Sequence, residues 1–351
     1  MKILAIDLGK FKSVFLDYVT GGGDQEFGKV ETSPQAIHDL LAARVPDRLV
    51  IESGPSAGWV HDLAQTLGIA VQVANTNDER WRWRQVKRKT DRNDALKLAR
   101  LSEMDCLPTV HVPCARVRQW RALIAYRHGL VDRRTGIKNN IRSIFERQGL
   151  RLPGGAKAWT GAGMADWGRE AREVSVPAEQ GWRYELHSEL QLLAGLEKQI
   201  DEVEGKLKEL SDADERVKQL RSAPFVGPRL SETVVAIIDD PHRFKNARQV
   251  GGYAGLTPRR WQSGTMDRQG HISHQGNKLL RELLVEIAWL GVRGGTWMKQ
   301  VYENVRRGSD QRKKIAIVAV ARRLLIRLWA MLRDGTVWKD PSPDVLGTIA
   351  V

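Results

Sequence analysis

The sequence predicts an α/β domain followed by a mostly helical body, and three observations carry that prediction. Short β-branched runs alternate with helical stretches up to about residue 105. Apolar residues then recur at heptad spacing from Trp182. Beyond about residue 221 the long apolar segments have a helical period. A chain of 351 residues has room for two domains, and 42% hydrophobic content supports a buried core. Lys and Arg number 56 against 42 Asp and Glu, a net charge of +14, which favours a polyanionic partner and makes nucleic acid the first expectation. No apolar run approaches the ~20 residues of a membrane span. The stretch 315–332 is broken by Arg322, Arg323 and Arg327, and the start Met1-Lys2-Ile3-Leu4-Ala5-Ile6-Asp7 meets a charge too early for a signal peptide, so a cytoplasmic location is expected. Cys106 and Cys114, with His111 between them, offer at most three zinc ligands, and buried or free thiols are the expectation.

Taken in order, residues 2–7, 13–19 and 26–32 read as a three-stranded meander, separated by Gly9-Lys10 and by Gly21-Gly22-Gly23. Ser33-Pro34 opens a helix, with Ser as N-cap and Pro in the first turn. A strand at 48–52, a helix at 59–67, a strand at 69–74 and a helix at 91–104 follow. The order βββ-α-β-α-β-α is the ribonuclease H-like topology, in which parallel strands need helical crossovers.

On that reading Asp7 ends the first strand and Glu52 the fourth, which lies beside it. Asp91 and Asp94, three apart at the start of a helix, share one face. Four carboxylates from separate elements then converge. Hard oxygen ligands of this kind suit Mg²⁺ or Mn²⁺ and imply phosphodiester cleavage or transfer. Taken singly, each has a structural alternative: a strand-end turn for Asp7, an arginine partner for Glu52, a helix-dipole charge for Asp91. An actin-like ATPase would also carry Ile6-Asp7-Leu8-Gly9, but the sequence has no second Asp-x-Gly hairpin.

The middle of the chain is basic. Arg80, Arg82 and Arg84 alternate with Trp81 and Trp83 and lead into Lys87, Arg88 and Lys89, a mixture suited to phosphates and unpaired bases. A long helix over about residues 113–148 buries Val117, Trp120, Ile124, Leu130, Ile137, Ile141 and Ile144. Its other faces carry Arg133, Arg134, Lys138 and Arg142 among nine cations, with only Asp132 and Glu146 opposed to them, which suits a phosphate backbone. Residues 151–182 read as a linker. Over 183–220, Leu186, Leu193, Ile200 and Leu207 repeat every seven residues, with Leu196, Val203 and Leu210 at the alternate position and Glu189 interrupting it. This coiled coil is either an intramolecular hairpin or a dimerisation arm, and dimerisation is the expectation, since strand exchange needs several active sites held together.

Residues 221–351 are expected to form a helical domain. Ala223–Pro228 before a helix resembles a helix-hairpin-helix turn, with Phe225 where glycine is commoner. Arg259 and Arg260 precede Ser263-Gly264 in what reads as a polar loop; they could hold a phosphate for Ser263 as nucleophile, with Ser273 as the alternative and His271 or His274 as possible bases.

These segments together resemble the insertion-sequence-110 transposases, the RNA-guided bridge recombinases. The resemblance rests on Ala5-Ile6-Asp7, Ile51-Glu52-Ser53-Gly54, Lys89-Thr90-Asp91-Arg92-Asn93-Asp94-Ala95, Ile137-Lys138-Asn139-Asn140-Ile141-Arg142, Tyr253-Ala254-Gly255-Leu256-Thr257-Pro258, and Gln262-Ser263-Gly264 with Gly270-His271-Ile272-Ser273. It implies a RuvC-like domain with the tetrad Asp7, Glu52, Asp91 and Asp94 on Mg²⁺, and a C-terminal transposase domain with Ser263 as nucleophile. It further implies a structured noncoding RNA that pairs with donor and target DNA, and a dimer or tetramer at work. Two other readings stand beside it: a RuvC-like metal nuclease or junction resolvase in which Ser263 has no role, and a non-catalytic nucleic-acid-binding protein.

Overall fold

The computed structural model describes residues 1–340 except 23, 77, 79–89, 172–180, 265 and 296. The chain divides into two compact units, Met1–Arg116 and Val117–Val351. The first boundary therefore falls after Arg116 and not near residue 105. The extra residues are held by the sheet: Thr109 bridges Ala74, and the amide of Val110 donates to the carbonyl of Val73 at 2.9 Å.

Unit one is built from β1 (Lys2–Asp7), β2 (Lys12–Val19), β3 (Gln25–Glu31), α1 (Pro34–Arg44), β4 (Arg48–Glu52), α2 (Ala57–Thr66), β5 (Ala70–Ala74) and α3 (Asp91–Glu103). The sheet order is β3-β2-β1-β4-β5, with β1 antiparallel to β2 and parallel to β4. This is the ribonuclease H-like topology that the element order implied. Ser33 caps α1, accepting from the amide of Ala36, and Pro34 opens it. Strand alternation sorts the core into two layers. Ile3, Ala5, Leu16 and Val50 pack with Ala95, Leu98 and Ala99 of α3, whereas Leu4, Ile6, Leu49 and Ile51 pack with Ile37 and Leu41 of α1 and Val60 and Ala64 of α2. Strands buried on both faces read as near-continuous apolar runs, as Ile3–Ile6 and Leu49–Ile51 do.

Helix α4 (Ala115–Arg147) runs from the end of unit one into unit two. The second unit continues with α5 (Gly161–Trp167), α6 (Gly181–Asp212), α7 (Glu215–Leu220), α8 (Pro228–Ile238), α9 (Ala247–Tyr253), a hairpin β6 (Pro258–Ser263) and β7 (Met266–Ile272), then α10 (Lys278–Arg293), α11 (Trp297–Arg306) and α12 (Lys313–Asp334). Four differences from the sequence reading stand out. The heptad helix ends at Asp212 rather than 220. Its seam is buried inside the chain: Leu196, Ile200, Val203 and Leu207 join a core with Trp120, Ile124 and Leu130 of α4, and Leu186 and Leu193 pack with Ile141, Ile144 and Phe145. Arg127–Glu204, Lys138–Glu197 and Arg147–Glu185 pair in descending order, so α4 and α6 run antiparallel. The seam that suggested a dimerisation arm is thus the inner face of a helical hairpin.

The described residues of 151–182, expected as a linker, include a packed tip on that hairpin, with Leu152, Trp159, Met164, Trp167 and Trp182 against Phe145 and its neighbours. Trp167 stacks edge-on against Phe145 and Trp159, at 5.6 and 5.7 Å between centroids, and its indole N–H donates to the carbonyl of Ala158. The last difference lies in the C-terminal part, which is helical apart from the β6–β7 hairpin. Every residue of β6 is exposed, so this pair of strands carries no apolar side from which a strand could be read.

Candidate active site

Two groups of candidate residues lie in different units. In unit one, the odd positions of β1 and the even positions of β4 face α3, as Ile3, Ala5 and Val50 show. Continuing the same alternation puts Asp7 and Glu52 on that face. They follow the paired residues Ile6 and Ile51, so they end adjacent parallel strands. Helix α3 runs back along these strands. Arg48, at the start of β4, donates to the carbonyl and hydroxyl of Ser102 near the end of α3, at 3.2 and 3.1 Å. From Arg48 to Glu52 the strand rises about 13 Å, and from Ser102 back to Asp91 the helix rises about 16 Å, so the start of α3 reaches the level of the two strand ends. Asp91 and Asp94 lie in that first turn, on the side continued by the buried Ala95 and Leu98, and Thr90 caps the helix by accepting from the amide of Asn93 at 3.3 Å.

The backbone thus sets the ends of β1 and β4 and the first turn of α3 at one end of one side of the sheet. The donors are all carboxylate oxygens, the set that fits a hard divalent cation. Among the described residues, no three His, Cys, Asp or Glu side chains are already gathered as a metal-holding group. Asp7, Glu52 and Asp94 each have an interaction partner in the chain. Cys106 and Cys114 are free, and both are exposed rather than buried.

In unit two, Ser263 is the last residue of β6, next to the turn at Gly264, and is exposed. Among the described residues its hydroxyl has no hydrogen-bond partner. Pairing of Trp261 with Arg268 and of Ser263 with Met266 puts these four side chains on one face of the hairpin. Arg260, Gln262 and Asp267 belong to the other. Arg260 grips Asp267 through two hydrogen bonds of 2.7 and 2.6 Å, which hold the Asp267 carboxyl below the ordinary aspartate range. The pair of arginines therefore does not flank Ser263 as a clamp. Arg260 is engaged on the opposite face, and Arg259 donates to the carbonyl of Ser273 at 3.3 Å.

Ser273, the other serine candidate, is tied into the base of the hairpin. Its amide donates to the carbonyl of Thr257, and its hydroxyl accepts from the amide of Gln275. The segment Tyr253–Pro258 sets this base: Gly255 has φ of 69°, and a Cβ there would stand 2.0 Å from the carbonyl oxygen of Gln275, so the close approach of the two strands of backbone needs glycine. In the turn before α8, Phe225 itself takes φ of 65°, the left-handed conformation that glycine would supply, with its ring against Gly294. The hairpin shape is kept there without the glycine.

The cations of α4 divide. Arg121 donates to the carbonyls of Ala236 and Ile237 at the end of α8, Arg127 and Arg147 pair with α6, and Lys138 meets Glu197 at 3.3 Å. Arg142 donates to the carbonyl of Gly155 and, like Lys138, lies over the ring of Trp159. A face expected to be free for phosphate is therefore partly consumed in holding the unit together, while Arg133 and Arg134 have no ion pair among the described residues and Arg133 is exposed. Arg80, Arg82, Arg84, Lys87, Arg88 and Lys89 lie outside the described residues. No helix among those described is long and apolar enough to cross a membrane.

The strand order defines a ribonuclease H-like domain. Residues 217–303 match the family described as Transposase IS116/IS110/IS902, and residues 6–148 match a family described as Transposase, of the DEDD type of insertion sequence 110. The transposase for insertion sequence element IS1111A of Coxiella burnetii is 26% identical, over 95% of this chain and 90% of its own. The transposase for insertion sequence element IS1328 of Yersinia enterocolitica is 25% identical, over 71% of this chain and 74% of its own. A Thermus thermophilus RuvC structure aligns along its whole length with 31% of this chain at 17% identity, but its TM-score of 0.24 is too low to assign a fold, which rests instead on the strand order above. The chain belongs to the insertion-sequence-110 family of transposases, and is a DNA transposase whose substrate is DNA.

Proposed function

We propose that this transposase excises and inserts its element by serine-linked strand exchange, with Asp7, Glu52, Asp91 and Asp94 holding Mg²⁺ or Mn²⁺ and a structured noncoding RNA specifying donor and target DNA. The observation that carries the metal part is the alternation that turns Asp7 and Glu52 toward the start of α3. A divalent cation bound there would neutralise charge on a DNA phosphate and polarise it. The four carboxylates would hold that cation, and without it they would repel the phosphate.

Ser263 supports the serine part by its exposure at the hairpin end and its unbonded hydroxyl. In the proposed step Ser263 Oγ attacks the phosphorus of a DNA phosphodiester and loses its proton to a base, while the P–O bond to the adjoining sugar breaks and that oxygen leaves as a hydroxyl. The resulting phosphoserine ester conserves the bond, and the hydroxyl of the incoming strand reverses the step. Guidance by RNA rests on the family resemblance and on the excess of positive charge, which serves backbone contact better than base readout. A homo-oligomer is part of the same proposal, although the heptad seam does not supply its interface.

The test is a covalent trap. With nicked or mismatched DNA that stalls rejoining, the protein becomes attached to a DNA end and shifts on a denaturing gel. Ser263→Ala loses that species and all recombination while still binding DNA, and Ser273→Ala keeps both. Recombination by Ser263→Ala at the wild-type rate would replace this reading with a metal nuclease that delivers water.

A further inference from the structure

The two faces of the β6–β7 hairpin differ in charge and in stickiness, and the difference points to a ligand. On one face Arg260 and Asp267 cancel each other. On the other, Trp261, Ser263, Met266 and Arg268 stand together with no acidic residue, and Arg268 has no ion pair among the described residues. Trp261 is 57% exposed and Met266 52% exposed, although apolar side chains of this size normally help to cover a core. The indole is nevertheless held in place. It lies across Gly270, where a Cβ would stand 2.4 Å from the ring, so the glycine leaves space for the ring to lie flat on the strand. An exposed, positioned indole beside an unpaired arginine, with no acid on that face, combines a stacking surface with positive charge. That is how unpaired nucleic-acid strands are bound.

We propose that Trp261 is a stacking platform for an unpaired base of the DNA strand that runs past Ser263, with Arg268 on the adjoining phosphate. The assignment to DNA rests on the reading of Ser263 as the residue that attacks the strand; the stacking surface itself does not. Two positions along a strand span about 7 Å. That is close to one nucleotide of an extended strand, so a base on Trp261 belongs to a nucleotide next to the phosphate at Ser263. Stacking fixes the strand where chemistry needs it and is tolerant of base identity, since every base has a π-face. This makes Trp261 a positioning residue for the exchange, distinct from the carboxylates.

The experiment uses the full chain and a (dT)12 oligodeoxynucleotide carrying one 2-aminopurine, whose fluorescence is quenched when it stacks on an indole. Trp261→Phe and Trp261→Leu both keep a side chain over Gly270, but only Phe presents an aromatic face. Trp261→Leu is expected to weaken binding roughly 5- to 150-fold, the range of one base–aromatic stack, and to remove part of the quench, while Trp261→Phe stays within about 3-fold of wild type. Equal loss in both variants, or in neither, overturns the proposal, because a hairpin-supporting role does not separate Phe from Leu. A Leu-to-Phe ratio on (rU)12 as large as that on (dT)12 overturns the assignment to DNA. Ser263→Ala binds and quenches as wild type. A Leu–Phe contrast without a covalent species would therefore sink only the serine reading, and a covalent species without the contrast would sink only the stacking platform.

Discussion

The carboxylate end of the five-stranded sheet and the β6–β7 hairpin present polar groups in opposite ways. Asp7, Glu52 and Asp94 each adjoin a fully buried residue, Ile6, Ile51 and Ala95, so the core sets the backbone there, while Asp91 is exposed at the start of α3. Ser263 and Trp261 both stand on β6, every residue of which is exposed, and a lone two-stranded hairpin is marginal in water. The first region is placed before any partner arrives. The second has its register set by pairing and by Gly270 but leaves its working face open for a ligand to cover. On the proposed function, carboxylates that would share a small cation need the stiffer support, whereas a strand that would be admitted and released is served by an open surface.

That comparison can be broken in several ways, beginning where the effect is largest. Asp7→Asn or Asp94→Asn removes a ligand charge without removing volume, and recombination is expected to fall on the order of 10³-fold or more, the worth of several kcal/mol of charge stabilisation. The melting temperature and DNA affinity should be retained. Recombination at the wild-type level by either variant would detach the carboxylates from the reaction.

Next in size is packing. Leu98→Ala opens a void between α3 and the sheet and should cost about 2–5 kcal/mol in denaturant unfolding of unit one. Met266→Ser on the hairpin should change stability by no more than about 0.5 kcal/mol. A large loss at Met266 would mean that the hairpin is covered by the protein itself.

A buried charge offers the third test. Glu232 is enclosed in unit two with Ser211 and Arg229 as partners, and burial pushes its carboxyl above the ordinary glutamate value of 4.5 against their pull. A raised folded value means that the native state holds this proton more firmly than the unfolded chain does. The stability this gives is present below pH 4.5 and is lost as pH rises through the raised value. Glu232→Gln, which stays neutral, should therefore gain stability relative to wild type between pH 4.5 and pH 7. Urea titrations at both pH values would check this, and a flat difference would mean that Arg229 keeps the group ionised throughout.

The smallest effect separates the cations of α4. Replacing Arg133 and Arg134 by Ala should reduce the salt slope of DNA binding by up to about one unit for each phosphate that is no longer neutralised. Replacing Lys138 and Arg142 should leave the slope nearly unchanged and instead loosen the packing on Trp159. The reverse result would show that Lys138 leaves Glu197 when nucleic acid binds.

Much of unit one was legible because its signals are local. Apolar, β-branched runs mark 2–7 and 48–52 as strands, and Ser33-Pro34 announces a helix start. The β6–β7 hairpin was not legible, since six exposed residues in a row have no inside and outside to alternate. Its signal was weaker: Gly264 as a turn between short runs whose large apolar residues are Trp261 in the first and Met266 and Ile272 in the second.

The sequence by itself determined the order of the elements, the ribonuclease H-like class of the first unit, the heptad stripe of α6 and the excess of positive charge, because each is written in the period or count of neighbouring residues. Only the tertiary structure decided that the stripe is closed by α4 rather than by a second chain. It also decided that Arg121, Arg127, Lys138 and Arg147 turn inward and that Arg260 is taken by Asp267 on the face away from Ser263. The physical reason is that burial is non-directional and a guanidinium accepts any oxygen within reach as its partner. A stripe or a charge states what it needs, and the partner that meets the need is chosen by which distant segments the fold brings within a few ångströms.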